Sequence, residues 1–147
     1  MKKKIKLFDP IIDESEEKSI IKVLRSKHWA SGSGSGNVEK FENQFNNYIG
    51  SKDSVAVNSG TSALNLALSL VDIKNKEVIV PSLTFVSTIH AIKLNGGKPI
   101  FVDVDEKDLC IDADKIIKKI TPKTKVILPV HFGGMPCNLN KIKKICK

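Results

Sequence analysis

Long apolar runs, paired cysteines and a signal-peptide core are all missing from this sequence of 147 residues. No apolar stretch approaches the roughly 20 residues that a membrane-spanning helix needs, and no apolar core follows the basic start at residues 1–4. The three cysteines are odd in number and have no CxxC spacing, which argues against a disulfide framework or a zinc site. The sequence therefore predicts a cytoplasmic protein with no membrane partner and no bound metal.

Arginine and aromatic residues are also scarce. Aromatic residues make up 5% of the chain, and Arg25 is the single arginine among 24 basic residues. The net charge of +8 comes from lysines spread along the sequence, without the cluster of arginines and interleaved aromatics that marks a nucleic-acid site. A solvated lysine-rich surface is the favoured interpretation, although such a surface also attracts an anionic, phosphorylated substrate.

Two helices are predicted in the first 52 residues, after an extended arm. Asp13–Glu16 has the pattern of a capping box, and the helix that it opens is expected to end near Ser26. A second apolar face is formed by Val38, Phe41, Phe45 and Tyr48. Gly50 follows as a stop signal. We interpret this aromatic stripe as packing rather than as a cofactor site.

From Ser54 onward the pattern alternates between apolar strands and helices. Strands are expected near 54–57, 77–80, 99–103 and 125–130, and helices near 62–71, 84–94, 112–120 and 139–147. Such alternation predicts an α/β fold with three layers, a mostly parallel sheet joined by right-handed crossovers, and helices on both faces. We therefore divide the chain into residues 1–52, an N-terminal arm with helices, and residues 53–147, the first part of an α/β domain.

The stretch 54–71 carries the strongest functional signal. A short β-branched run leads through a turn of small polar residues, which includes Gly60, Thr61 and Ser62, into an apolar helix. The first N–H groups of a helix lack internal partners and carry the positive end of its dipole, so a phosphate group is the expected ligand. The alternative is that Ser59, Thr61 or Ser62 only caps a buried helix. The turn lacks the lysine of a Walker A loop and the GxGxxG of a dinucleotide fold, so ATP and NAD are not favoured.

Further polar residues follow the other predicted strands, where ligands gather in open α/β sheets. Asp103 and Asp105 are interpreted as turn-forming residues rather than as metal ligands. Thr84 is expected to cap the helix that follows it. His131 is either a polar contact in a site or a loop residue with a local partner, and the sequence leaves both open.

Five blocks of sequence together resemble one family. They read FENQFNNYIG, NSGTSALNLAL, EVIVPSLTFVSTIHAI, GGKPIFVDVD and ITPKTKVILPVHFGG, in the same order as in that family and across nearly the whole chain. The chain resembles the DegT/DnrJ/EryC1/StrS family of sugar aminotransferases, which use pyridoxal phosphate (PLP) in the large domain of the aspartate aminotransferase fold. The resemblance implies that Gly60, Thr61 and Ser62 hold the PLP phosphate and that Phe85 stacks on the cofactor ring. The alternative for Phe85 is ordinary helix core.

The resemblance also implies an activity and its partners. The family transfers an amino group, with glutamate as the expected donor, to a keto sugar carried by a nucleotide, and it is expected to act as a homodimer with the active site at the interface. The resemblance also implies an active-site loop near Ser31–Gly36. The composition of this run fits a flexible linker equally well.

The lysine that bonds to the cofactor and the acid that faces its ring nitrogen are expected beyond residue 147. No catalytic residue is therefore assigned here, and the chain is expected to be the N-terminal part of a longer protein and inactive by itself. Two alternatives remain. One is a sugar dehydratase of the same family, and the other is a phosphate-binding module without catalysis.

Overall fold

The computed structural model describes residue 6, residues 8–29 and residues 36–147. The chain divides into two compact units, Met1–Ala56 and Val57–Lys147. Residues 30–35, which make up most of the predicted Gly/Ser-rich loop, lie outside the described residues.

Two helices form the first unit, α1 over Glu14–Ser26 and α2 over Asn37–Ile49. The predicted capping box is confirmed: an Asp13 carboxylate oxygen accepts the Ser15 N–H at 2.7 Å, and the Glu16 carboxylate accepts the Asp13 N–H at 2.9 Å. Gly50 ends α2 in the left-handed conformation, at φ 71°, as expected for a helix stop.

The aromatic stripe of α2 is not packed into a core within this unit. The rings of Phe41 and Phe45 lie 6.0 Å apart, but their side chains are 56% and 44% exposed, and Tyr48 is 89% exposed. None of the described residues of this unit is buried. A pair of helices has too little surface to enclose its own apolar faces, so the interpretation of this stripe as core packing is wrong for the unit by itself.

The expectation of a strand at residues 54–57 is also wrong. This stretch has no ladder partner among the described residues. Its backbone instead meets α2: the Ala56 N–H donates to Glu42 Oε1 at 2.7 Å, and the Ser54 hydroxyl donates to the Glu42 carbonyl oxygen at 3.2 Å. A β-branched run is thus present without the neighbouring strand that would make it part of a sheet.

The second unit is built on a parallel sheet of three strands in the order β2-β1-β3. The strands are β1, Glu77–Pro81; β2, Lys98–Val102; and β3, Thr124–Ile127. The central strand β1 is buried along its whole length, which explains its continuous apolar sequence. The strands expected at 77–80 and 99–103 are confirmed, whereas β3 ends earlier than predicted.

Helices cover both faces of this sheet: α3 over Gly60–Ser69, α4 over Val86–Leu94, α5 over Ala113–Ile117 and α6 over Leu139–Ile145. Because neighbouring side chains of a strand point to opposite faces, Val78 and Val80 pack with α3 and α4, while Ile79 packs with α5 and α6. The predicted α/β architecture with three layers is confirmed.

The two helices on the first face run in the same sense. The Asn75 N–H, beyond the end of α3, donates to the carbonyl oxygen of Gly96, beyond the end of α4, at 2.9 Å. The Asn95 side-chain amide also donates to Asn65 Oδ1 at 2.8 Å. Because α4 starts just after the carboxyl end of β1, both helices begin toward that edge of the sheet and run back toward the edge where β1 begins.

At the edge of the sheet where β1 begins, the Glu77 carboxylate contacts residues next to both neighbouring strands. The Thr121 hydroxyl donates to Glu77 Oε2 at 2.6 Å, and Lys98 Nζ lies 4.0 Å from Glu77 Oε1. Thr121 precedes β3 and Lys98 opens β2, so one buried carboxylate contacts residues at the start of both neighbouring strands. Among the described residues, no helix is long and apolar enough to cross a bilayer.

Candidate functional site

The turn before α3 is a capped helix start. Ser59 has an extended backbone, at φ −163°, and its hydroxyl oxygen accepts the Ser62 N–H at 3.1 Å. The Ser59 carbonyl oxygen accepts the first helical bond, from the Ala63 N–H at 3.0 Å. The sequence left open whether Ser59, Thr61 or Ser62 caps this helix, and the structure shows that Ser59 does.

The hydroxyl of Ser62 is engaged inside the same turn. It accepts from the Ser59 hydroxyl at 3.0 Å and donates to Asn58 Oδ1 at 2.7 Å. The N–H and O–H groups of Ser62 were both expected to donate to a ligand. In the structure, each donates to a residue of the turn instead. Asn58 was not among the predicted site residues, although the tendency of asparagine side chains to form local hydrogen bonds in turns could have indicated this role.

The neighbouring residues Gly60 and Thr61 are open. Both are exposed, and among the described residues neither N–H group has a hydrogen-bond partner, nor does the Thr61 hydroxyl. A Cβ atom added at Gly60 would meet nothing within 4 Å. The turn therefore offers two adjacent N–H donors and one hydroxyl at the positive end of a helix dipole.

Phe85 lies at the start of the neighbouring helix. It is the N-cap residue of α4, makes no side-chain capping bond, and its side chain is 73% exposed. The alternative of ordinary helix core is thus not supported in this chain, and the ring is free to face a ligand. Thr84 is not the cap that the sequence predicted, because its hydroxyl bonds that of Thr88 at 2.8 Å.

The acidic residues after β2 accept local hydrogen bonds. Asp103 accepts a hydrogen bond from the Val104 N–H at 2.9 Å and forms an ion pair with Lys115, whose Nζ lies 3.2 Å from Asp103 Oδ2. The hydrogen bond from Lys115 is the main reason why the pKa of Asp103 is lowered. Asp105 accepts the Lys107 N–H at 2.8 Å. The turn-forming interpretation is thus confirmed for Asp105, which precedes the turn at residues 106–108, whereas Asp103 lies between β2 and the bridged residue Val104. The described residues contain no group of three or more potential metal ligands.

His131, after β3, has a local partner. Its Nδ1 accepts the Cys137 N–H at 3.0 Å, so in the neutral ring the proton is assigned to Nε2. The Cys137 thiol donates to the carbonyl oxygen of Val130 at 3.0 Å, and burial raises the pKa of this thiol to about 11. Of the two interpretations left open, the structure supports His131 as a satisfied loop residue.

The α/β fold with a parallel sheet is shared with solved PLP-dependent aminotransferases. The DegT/DnrJ/EryC1/StrS aminotransferase family model matches residues 10–147, and the chain belongs to this family. Its relatives include the spore coat polysaccharide biosynthesis protein SpsC of Bacillus subtilis, 40% identical over 139 residues, or 94% of this chain. The GDP-perosamine synthase of Caulobacter vibrioides is 37% identical over 98% of this chain.

Solved structures agree with this assignment. The aminotransferase from Psychrobacter cryohalolentis superposes with a TM-score of 0.89 at 34% identity, over 93% of this chain and 35% of its own. A GDP-4-keto-6-deoxymannose-3-dehydratase with a trapped PLP-glutamate geminal diamine gives 0.85 at 32% identity, over 97% of this chain and 38% of its own. The chain also spans only 35% of SpsC and 38% of the Caulobacter synthase, so it corresponds to little more than a third of these relatives.

Proposed function

We propose that these residues form the first part of a PLP-dependent aminotransferase that moves an amino group, from glutamate, to the keto sugar of a nucleotide-sugar. Membership of the family supports the reaction class. The GDP-perosamine synthases among its relatives support a nucleotide-linked sugar as substrate. The neighbouring structure that holds PLP and glutamate supports the cofactor and the donor.

The observation that carries this proposal is the open start of α3. A phosphate monoester is a dianion with oxygens that accept hydrogen bonds, and the unpartnered N–H groups of Gly60 and Thr61 are donors at the positive end of a helix. The Thr61 hydroxyl adds a third donor. Ser62 would hold the shape of the turn through Ser59 and Asn58. These residues therefore fit the phosphate of PLP.

Phe85 would supply the second contact. Its exposed ring begins α4, which starts toward the same edge of the sheet as α3. A flat, electron-poor pyridine ring stacks favourably on an aromatic face, and such a face also keeps water from one side of the cofactor. When bound, PLP supplies the electron sink that lets an amino group pass between two carbonyl carbons.

The residues that complete the reaction are placed outside this stretch in our proposal. The lysine that bonds to the cofactor and the acid at its ring nitrogen would lie in the part that corresponds to the remaining length of the relatives. The stretch alone would then be inactive. We also propose that the whole protein is a cytoplasmic homodimer, with the active site at its interface.

The test is the affinity of the full-length protein for PLP, measured by absorbance titration of purified variants. Thr61→Ala removes one hydroxyl donor, and charge-assisted hydrogen bonds of about 1.5–3 kcal/mol predict a loss of about tenfold or more in affinity. Ser69→Ala is the matched control, since its hydroxyl bonds the Leu66 carbonyl oxygen at the far end of the same helix. Equal PLP affinities in wild type and Thr61→Ala would place the phosphate elsewhere.

A second candidate function is a sugar dehydratase of the same family. The superposition on the GDP-4-keto-6-deoxymannose-3-dehydratase structures, with TM-scores of 0.85 and 0.87, favours it as the alternative. The resemblance implies that a histidine replaces the cofactor-bonding lysine in such enzymes. Adding the keto sugar with and without glutamate, and identifying the product as amino sugar or deoxy sugar, separates the two reactions.

A further inference from the structure

Phe85 is held in place by its backbone more than by the packing of its ring. Its side chain is 73% exposed, so neighbouring residues of the same unit cover little of it. The direction of the ring is set mainly by the first side-chain torsion, which has a few staggered values whose choice depends on the backbone. The position of the ring therefore depends on how firmly the backbone around Phe85 is fixed.

Two contacts fix the short segment that joins β1 to Phe85. At its start, the Ser82 N–H donates to the carbonyl oxygen of Val102, the last residue of β2, at 2.8 Å. At its end, the hydroxyl groups of Thr84 and Thr88 share a hydrogen bond of 2.8 Å. The first contact continues the sheet, whereas the second is made by side chains and joins the residue before Phe85 to the first turn of α4.

Thr88 is the firmer partner in this hydroxyl pair. It lies within α4 and is 4% exposed, whereas Thr84 is half-buried. Its N–H also donates to the Phe85 carbonyl oxygen at 3.0 Å, so one residue contacts both Thr84 and Phe85. Because a buried hydroxyl that loses its partner costs free energy, burial of Thr88 favours keeping the bond to Thr84.

We infer that Thr88 is a positioning residue that, through Thr84, sets the direction from which the Phe85 ring meets the cofactor. The inference rests on the proposed function, in which that ring stacks on PLP. Aromatic stacking depends on the offset of the two rings and on a centroid separation of about 4.5–7 Å. A ring whose backbone is less restrained samples more directions, and ordering it when the cofactor binds lowers the affinity.

The test is a double-mutant cycle in the full-length protein, measured by PLP absorbance titration and thermal melts. Thr88→Val removes the hydroxyl and keeps the shape of the side chain, whereas Thr88→Ser keeps the hydroxyl. Thr88→Val is also combined with Phe85→Ala, which lacks the ring to be positioned. Ser87→Ala is the matched control, because Ser87 is a buried residue of the same helix whose hydroxyl has no hydrogen-bond partner among the described residues.

Thr88→Val should weaken PLP binding by about threefold to fivefold, the scale of one net hydrogen bond. In the Phe85→Ala background the same change should alter the affinity by no more than about 1.5-fold, since the ring that couples Thr88 to the cofactor is gone. Thr88→Ser and Ser87→Ala should stay within about 1.5-fold of wild type. If Thr88→Val does not fold, Thr84→Val breaks the same bond from its less buried side and should give the same pair of results.

A lower melting temperature in Thr88→Val with wild-type PLP affinity would overturn the inference, because the bond would then only stabilise the start of α4. Equal losses of affinity with and without the Phe85 ring would also overturn it, since Thr88 would act by another route. Loss of affinity in Thr61→Ala and Phe85→Ala but not in Thr88→Val would refute this inference and leave the proposed function standing. A wild-type protein that binds no PLP would refute both.

Discussion

Substitutions at Gly60 should affect ligand binding and folding stability in opposite directions. It is the first residue of α3, its φ is not in the left-handed region, and an added Cβ would meet nothing within 4 Å. The fold therefore has no need of glycine here. Gly→Ala at such a position stabilises a protein by about 0.4–1 kcal/mol, because the unfolded chain has fewer conformations to lose.

Binding should respond in the opposite direction. The Cα–Cβ bond of a helical residue tilts toward the N-terminus of the helix, so a side chain at residue 60 would point to the side from which the phosphate approaches. Gly60→Val should therefore lose more than about tenfold in PLP affinity, exceeding the loss of one donor. Gly60→Ala should lose less, and its melting temperature should equal or exceed that of wild type.

The assay is a thermal melt and a PLP absorbance titration of each variant of the full-length protein. Gly97→Ala is the contrasting variant, because its Cβ would lie 3.0 Å from side-chain atoms of Ile73 and Ile92 and 3.2 Å from a backbone oxygen. It should lower the melting temperature. Wild-type PLP affinity in Gly60→Val would show that the ligand does not approach this residue, and a lower melting temperature in Gly60→Ala would show that the fold does require the glycine.

The remaining predictions concern the Phe85 ring and the Cys137 thiol. Phe85→Ala should weaken PLP binding by about 1–2 kcal/mol, while Phe85→Trp keeps the affinity; a loss of thermal stability without a change in affinity would mean that the ring is core. The pKa of Cys137 is raised from 9.0 to about 11, so at pH 8 about one thiol in a thousand is ionised, and iodoacetamide should label the exposed Cys146 before Cys137. Because the unfolded thiol ionises at lower pH than the folded one, the contribution of Cys137 to stability should be lost as the pH rises from 9.0 to about 11, which urea titrations across that interval would detect; equal labelling of the two cysteines would contradict the burial of Cys137.

Structural features that are determined by a few adjacent residues could be predicted from the sequence. The capping box at Asp13 and the stop at Gly50 depend on a few adjacent residues, and both form as expected. The central strand could be predicted because VIV is apolar on both faces and lies in an alternation of strands and helices, as expected of a buried parallel strand. The resemblance to a family was read from five blocks of sequence, and the match of the family model to residues 10–147 confirms it.

Features that depend on a partner could not be predicted in the same way. Residues 54–57 look like a strand, but a strand exists only where another strand pairs with it, and Glu42 takes that place. The donors of Ser62 looked available because the sequence does not show that Asn58 and Ser59 accept and donate within the turn. Thr84 has the side chain of a cap, but the hydroxyl of Thr88 is its partner. In each case the competing contact is made by a side chain whose direction is set by the fold.

The contacts of Glu77 with Thr121 and Lys98 affect which parts of the sheet can tolerate mutations during evolution. The strands are joined by specific polar contacts at the edge where β1 begins, and the loops at the other edge take no part in them. Insertions and substitutions in the loops that follow β1, β2 and β3 can therefore accumulate while the sheet keeps its register. A protein engineer should therefore vary those loops, apart from Thr84 and Phe85, and keep Glu77 and Thr121 unchanged.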